Sequence, residues 1–322
     1  MSDGGLAVAP MLRRRLLQVW CRATGTALAA SLGSPLAGLR PSHAASGHAV
    51  RLPAGRALRW VAFYGQTADE DVLATYDLVV LDPMFLGSLE RVAGQGSRIC
   101  GYLSLGEARS TDPVFGRIPS GILLEENRAW PGTWRLDIRD PAWRDLVVHD
   151  VIPAIAAKGF TGLLLDTLDT PPYLEQVDPV RHRGMRQAAI DLVRTIRLAW
   201  PNMTIVLNRG YAIIPNVADV VDAVLAESLL SMPRLNGSGY RWNSASEVAL
   251  QLAYLVPVKE SASPVPVLSL DYWRLDDPSS IRAIYRCQRM LGHHPYVATP
   301  VLGEIIPEPV ADQSSSDALV HE

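Results

Sequence analysis

The chain is poor in the residues that carry much of biological chemistry. Only three cysteines and seven histidines occur in 322 residues, and no Cys/His spacing resembles a zinc site. Cys21 follows Trp20, where a lipoprotein processing site wants a small residue, and Cys100 and Cys287 read as free thiols. His293-His294 is an adjacent pair whose rings point in different directions, so it reads as surface or core filler. No run of 18 apolar residues is present, which excludes a membrane span of that kind. No glycine-rich phosphate turn follows an early strand, which argues against a dinucleotide-binding sheet. The formal charge of −3 lacks the basic excess of a nucleic-acid binder.

What is present is an ordinary globular composition, 48% hydrophobic and 20% charged, with a distinct amino-terminal segment. Arg13-Arg14-Arg15 precedes a moderately apolar stretch, and Ser42-His43-Ala44 places small residues at cleavage offsets. Residues 1–45 therefore read as a signal peptide suited to a twin-arginine route, or as a disordered leader, and a periplasmic or secreted location is expected. Without them five Arg and one Asp are lost, leaving 25 basic and 32 acidic side chains and a charge of −7. An acidic surface of this kind favours a cationic partner as well as solubility. Residues 46–306 are expected to form one domain, and 307–322 a flexible tail.

From residue 58 the chain alternates short β-rich runs with helical ones. The β-rich runs are Trp60–Tyr64, Leu78–Asp82, Ile99–Ser104, Gly162–Asp166, Met203–Asn208, Ala223–Glu227, Val265–Asp271 and Tyr296–Thr299. They are continuously apolar rather than alternating, the mark of parallel strands buried on both faces. Asp140-Pro141 and Asp277-Pro278 open helices, and Trp200-Pro201 closes one over 183–200. Eight strand–helix units predict a single-domain (β/α)8 TIM barrel, an α/β fold, with the site at the carboxyl ends of its strands.

Those ends read Tyr64, Asp82, Glu107, Asp166, Asn208, Glu227, Asp271 and Thr299. Five carboxylates at one mouth predict an acidic cup for a hydroxyl-rich or cationic ligand. Carboxylates without His, Cys or a Ser–His arrangement point to glycoside hydrolysis. A Mg2+ site built from carboxylate oxygens alone is the alternative chemistry; otherwise neither metal nor cofactor is expected. Asp166 and Glu227 close strongly apolar strands, four and six, which contribute to one side-chain layer. They are therefore the expected catalytic pair, one with its pKa raised by apolar walls. Trp130 and Trp134 lie in the long connection from Ala108 to Arg139, which is expected either to roof the cup as a sugar-stacking lid or to pack as an ordinary loop.

The segments Tyr102-Leu103-Ser104-Leu105-Gly106-Glu107, Gly159-Phe160-Thr161-Gly162-Leu163-Leu164-Leu165-Asp166-Thr167-Leu168-Asp169, Leu207-Asn208-Arg209-Gly210 and Ala226-Glu227-Ser228-Leu229 occur in that order. Together they resemble glycoside hydrolase family 114, the endo-α-1,4-polygalactosaminidases, and the resemblance spans residues 58–303. It implies cleavage within α-1,4-linked, partly N-acetylated galactosamine chains with retention, Asp166 as nucleophile and Glu227 as general acid/base. It also implies substrate binding by Tyr64, Asp82, Tyr102, Glu107, Asp169, Asn208, Asp271 and Tyr272, and an exopolysaccharide export machinery as partner. The sequence departs from the family at Thr170-Pro171, where a Ser-Tyr pair is usual and the aromatic moves to Tyr173. Two other classes are a non-catalytic polysaccharide-binding barrel, which would be expected to lose one of the two carboxylates, and an interaction module whose cup receives a basic peptide tail.

Overall fold

A computed structural model of the chain describes residue 52 and residues 57–234, 237–260 and 264–310. The expected leader, 1–45, and most of the expected tail, from 311, lie outside the described residues. Eight parallel strands form one sheet in strict chain order. They are β1 (Trp60–Phe63), β2 (Leu78–Leu81), β3 (Arg98–Ser104) and β4 (Gly162–Asp166). The second half is β5 (Thr204–Asn208), β6 (Ala223–Glu227), β7 (Val267–Tyr272) and β8 (His294–Ala298). Sequential order, with no reversal, distinguishes a (β/α)8 barrel from an open doubly wound sheet.

Seven parallel ladders run from β1 to β8, with Leu103 beside Leu165, Leu165 beside Leu207 and Leu207 beside Val224. Side chains close the seam between β8 and β1. The Trp60 indole donates to the His294 carbonyl at 2.8 Å, and Leu58 N donates to His294 Nδ1 at 3.0 Å. Trp60 also packs on Tyr296, ring centroids 5.6 Å apart. His294 thus opens β8 two residues before the expected Tyr296, and His293 is buried with its Nδ1 on Gln288. Cys100 is buried and Cys287 exposed, both unpaired.

The helices begin and end where local chemistry dictates. Asp140 accepts from Ala142 N ahead of Pro141, and Asp277 accepts from Ser280 N ahead of Pro278. Helix Met185–Ala199 stops at Trp200, before Pro201. A reciprocal Ser244–Glu247 capping box opens helix Ala245–Lys259. Instead of a plain loop, the connection after β3 folds into a three-stranded antiparallel sheet of Glu107–Arg109, Leu123–Glu126 and Thr133–Leu136. Trp134 sits in its middle strand, half-buried like Trp130.

At the opposite, amino-terminal end of the barrel, a buried ion pair joins helix Met185–Ala199 to β6. Arg197 Nη2 meets Asp222 Oδ2 at 2.5 Å, and the same oxygen accepts from Ile205 N at 2.7 Å. Three further guanidinium hydrogens go to the carbonyls of Pro201, Met203 and Val220. A buried charge stripped of its partner is costly, so Asp222→Ala is expected to destabilise the domain by about 3–5 kcal/mol. Urea unfolding measures this, and a loss below about 1 kcal/mol would contradict the pairing.

Candidate active site

The site lies where β3 to β7 end. Asp166, Asn208 and Glu227 are the last residues of β4, β5 and β6. The Asn208 amide nitrogen donates to Asp166 Oδ1 at 2.9 Å and to Glu227 Oε2 at 2.8 Å. The two oxygens are therefore held within the sum of those bonds, under about 6 Å. The amide's orientation follows: its oxygen against two carboxylates would be repelled, so Oδ1 is turned away, buried and without a hydrogen-bond partner. The outer oxygens are held by phenols, Tyr102 OH on Asp166 Oδ2 at 2.7 Å and Tyr272 OH on Glu227 Oε1 at 2.6 Å. Tyr64 packs edge-on to Tyr102, with centroids 5.3 Å apart.

The residue after each of these three strand ends has a left-handed backbone: Thr167 at φ 63°, Arg209 at 52° and Ser228 at 57°. This conformation is uncommon for side chains with a Cβ and rarest for β-branched ones such as threonine. Surrounding bonds must hold it. Thr167 Oγ1 lies within hydrogen-bond distance of Ser104 Oγ (2.8 Å), Leu105 N (3.2 Å), Gly106 N (2.8 Å) and Asp166 O (2.7 Å). Gly106 is obligatory there, because a Cβ would stand 2.3 Å from the Thr167 carbonyl oxygen. Ser228 N donates to Leu270 O, and its carbonyl accepts from Asn243 and Gln251. Each sharp turn lifts the chain away immediately after its functional side chain has been delivered to the cup.

Burial raises the pKa of Glu227, and the neighbouring Asp166 charge raises it further, against the bonds from Tyr272 and Asn208 and the field of Arg209. Burial also lifts Asp169 to about 6, against Arg209, whose guanidinium lies 3.9 Å away. Burial and the Asp166 charge push the phenol of Tyr102, and burial and the Glu227 charge that of Tyr272, well above their ordinary range, so both remain donors at neutral pH.

Of the five expected mouth carboxylates, the fold brings Asp166 and Glu227 together and uses the others elsewhere. Asp271 is fully buried, and its oxygens accept from Leu230 N (2.7 Å), Ser231 N (2.9 Å) and Gln288 Nε2 (2.5 Å). Successive residues of a strand face opposite sides, so Tyr272 reaches the cup and Asp271 anchors the loop after β6. Glu107 is buried under the small sheet, bound to Thr170 (2.8 Å) and Asn127 (3.1 Å). Asp82 holds the turn after β2 through Met84 N at 2.8 Å. Asn208, expected to bind sugar, gives both amide hydrogens to the carboxylates. The displaced aromatic Tyr173 lies beneath the Arg135 guanidinium, 5.2 Å from its ring centre. Thr167, Arg209 and Ser228 fall within the segments that carry the family resemblance, but the sequence assigns them no role of their own. Their signal was position alone, immediately after a strand-end polar residue. Among the described residues no group of three or more His, Cys, Asp or Glu is gathered to hold a metal.

A half-buried carboxylate pair at the carboxyl ends of a (β/α)8 barrel is the arrangement of a glycoside hydrolase. The family model of glycoside-hydrolase family GH114 matches residues 40–312, and the chain belongs to that family. A protein of Deinococcus radiodurans is 26% identical over 265 residues, 76% of this chain and 80% of that one. The glycoside hydrolase domain of PelA from Pseudomonas aeruginosa superposes with a TM-score of 0.70 at 24% identity, over 79% of this chain and 99% of that one. Aspergillus fumigatus Ega3, solved in complex with galactosamine, superposes with a TM-score of 0.59 at 17% identity, over 81% and 98%. The chain is thus a glycoside hydrolase with the fold of the PelA domain and Ega3.

Raised carboxylates carry a stability signature. Asp169 and Asp271, both lifted to about 6, stay protonated in the folded state where the unfolded chain has already released its protons. Stability is therefore expected to fall as pH rises from about 4 through about 6. Below that window the sign reverses, because Glu247, lowered to about 2 by Arg241, loses its bonds on protonation. Asp169→Asn should shrink the decline by about 2 kcal/mol. Urea unfolding at pH 4.5 and 7 tests it, and an unchanged difference would remove Asp169 as a source.

Proposed function

We propose that the protein is a secreted or periplasmic retaining endo-glycosidase that cleaves α-1,4-linked galactosamine and N-acetylgalactosamine chains. Asp166 is the nucleophile and Glu227 the general acid/base. The observation that carries this reading is the single Asn208 amide bonded to both carboxylates. Carboxyls about 5–5.5 Å apart leave room for a covalent glycosyl intermediate, whereas inversion needs about 6.5–9.5 Å to seat a water between. The bridge keeps the facing oxygens below the inverting range.

The environments divide the roles. Glu227, raised by burial, holds a proton to give to the glycosidic oxygen as the bond to the anomeric carbon breaks. Asp166, aligned by Tyr102 and Asn208, attacks that carbon and forms the glycosyl ester. Glu227, now ionised, takes a proton from water, whose oxygen attacks the same carbon and frees Asp166. Tyr64, Tyr102 and Tyr272 surround the reacting ring. The galactosamine bound in Ega3, the family membership and the acidic charge of the chain after residue 45 support a polymer with free amines as the substrate.

On partly deacetylated α-1,4-galactosaminan, the protein is expected to release short oligomers, read by mass spectrometry. Glu227→Gln and Asp166→Asn should each lower kcat by about 10³-fold or more while keeping the fold. Polymer binding without products from the wild type would instead favour a non-catalytic barrel. Tyr272→Phe removes a bond that favours ionised Glu227, so the Glu227 pKa should rise. The alkaline limb of kcat/KM should then move to higher pH by about half to one unit. A shift to lower pH would contradict the assignment of Glu227 as the acid.

A further inference from the structure

Outside the cup, on the same face of the barrel, lies an aromatic patch that the chemistry above does not use. After Glu227 the chain forms a hairpin in which Ser231–Pro233 pairs with Tyr240–Trp242, Trp242 standing opposite Ser231. The hairpin is locked onto the end of β7: Ser231 Oγ donates to the Tyr272 carbonyl at 3.1 Å, and Leu230 N and Ser231 N donate to Asp271. Trp273 follows Tyr272 and, by strand alternation, turns outward over helix Pro278–Met290, where it packs with Ile281, Ile284 and Tyr285. Its ring centre lies 5.0 Å from that of Trp242 and 5.9 Å from that of Tyr240. Its indole N–H is fixed on Asp277 Oδ2 at 3.0 Å.

Trp242 itself is 43% exposed, whereas Trp60 and Trp143 are at most 2% exposed. No other aromatic residue among those described is as open to solvent. Leaving nearly half of such a ring in water forfeits part of the roughly 1.5–3 kcal/mol that full burial is worth, and its backing by Trp273 holds the open face in place before any ligand arrives. The arginines at the patch each have a partner: Arg234 Nε donates to the Tyr240 carbonyl at 3.1 Å. Arg241 is engaged twice by Glu247, at 2.7 and 2.9 Å, and Arg274 lies 3.3 Å from Asp276 and 3.5 Å from Asp277.

We propose that Trp242, backed by Trp273, is a sugar-stacking platform that binds a galactosamine ring of the polymer outside the catalytic cup, on the Glu227 side. A galacto-configured ring has an axial O4, which leaves the hydrogens of C3, C4 and C5 together on one apolar face. That face fits the flat, electron-rich surface of an indole. A protonated amine on the same sugar adds cation–π attraction, strongest on tryptophan. The platform is continuous with the cup through Tyr272 and Trp273, consecutive residues, one bound to Glu227 and the other beneath Trp242. It therefore serves long chains more than short ones, which end before reaching it. The proposal rests on the substrate reading above for the identity of the sugar.

The test is binding in a Glu227→Gln background, with and without Trp242→Ala, to a panel of α-1,4-galactosaminan, chitosan, dextran and polygalacturonate, together with a galactosamine trimer. The expected result is a Kd for galactosaminan about tenfold weaker in Trp242→Ala, a smaller loss for the trimer, and recovery to within about threefold in Trp242→Phe. Galactosaminan binding that is equal with and without Trp242 overturns the platform and leaves the substrate reading standing. Trp242-dependent binding of another polymer only supports a sugar platform and overturns the galactosamine assignment. Absence of binding to every polymer overturns both.

Discussion

Two half-buried carboxylates share a small space, and one amide makes that tolerable. At about 5.5 Å and an effective dielectric of about 20, two full negative charges repel by about 3 kcal/mol. Asn208 places one N–H on each, Tyr102 and Tyr272 cover the outer oxygens, and burial with the Asp166 charge raises the pKa of Glu227. Every other feature of the site holds these five side chains at their distances. The chain order of the sheet sets β5 between β4 and β6, so the amide can reach both neighbours.

That geometry is held by strained backbone and a strong frame. Three left-handed residues in succession around the barrel would each favour glycine on steric grounds. Thr167 is held by its hydroxyl partners on the β3 end, Arg209 by a bond from its N–H to Leu225 O, and Ser228 by its bond to Leu270 O. Each tie crosses to a neighbouring strand, so the strain at one strand end is carried by the next. The apolar barrel beneath and the Arg197–Asp222 pair at the far end provide the rigidity against which such turns can be kept.

The mouth also divides its polar groups by face. Of the two residues that end β7, Asp271 turns away and fastens the hairpin after β6, while Tyr272 turns in and holds Glu227. Trp273 turns outward again and supports Trp242 on the rim. One strand end thus reaches the hairpin anchor, the carboxylate pair and the outer aromatic patch. Glu107, near Asp166 but shielded by the small sheet, fastens that sheet and Thr170 rather than meeting solvent.

The apolar runs and their helical spacers were enough to determine a (β/α)8 barrel, because parallel strands buried on both faces need little else to be recognised. The pairing of Asp166 with Glu227 was legible too, since both end strongly apolar strands whose ends share one face of the barrel. What sequence order could not reveal was which of two adjacent polar residues faces inward, so Asp271 and Tyr272 looked alike as site residues. It could not reveal that Asn208 would spend both its hydrogens on the carboxylates, or that Thr167, Arg209 and Ser228 would take a conformation foreign to their side chains. Those outcomes depend on strand register and on bonds between segments tens of residues apart. Composition and spacing record the chain one position at a time, whereas a bridging amide or a held turn exists only when three strands meet.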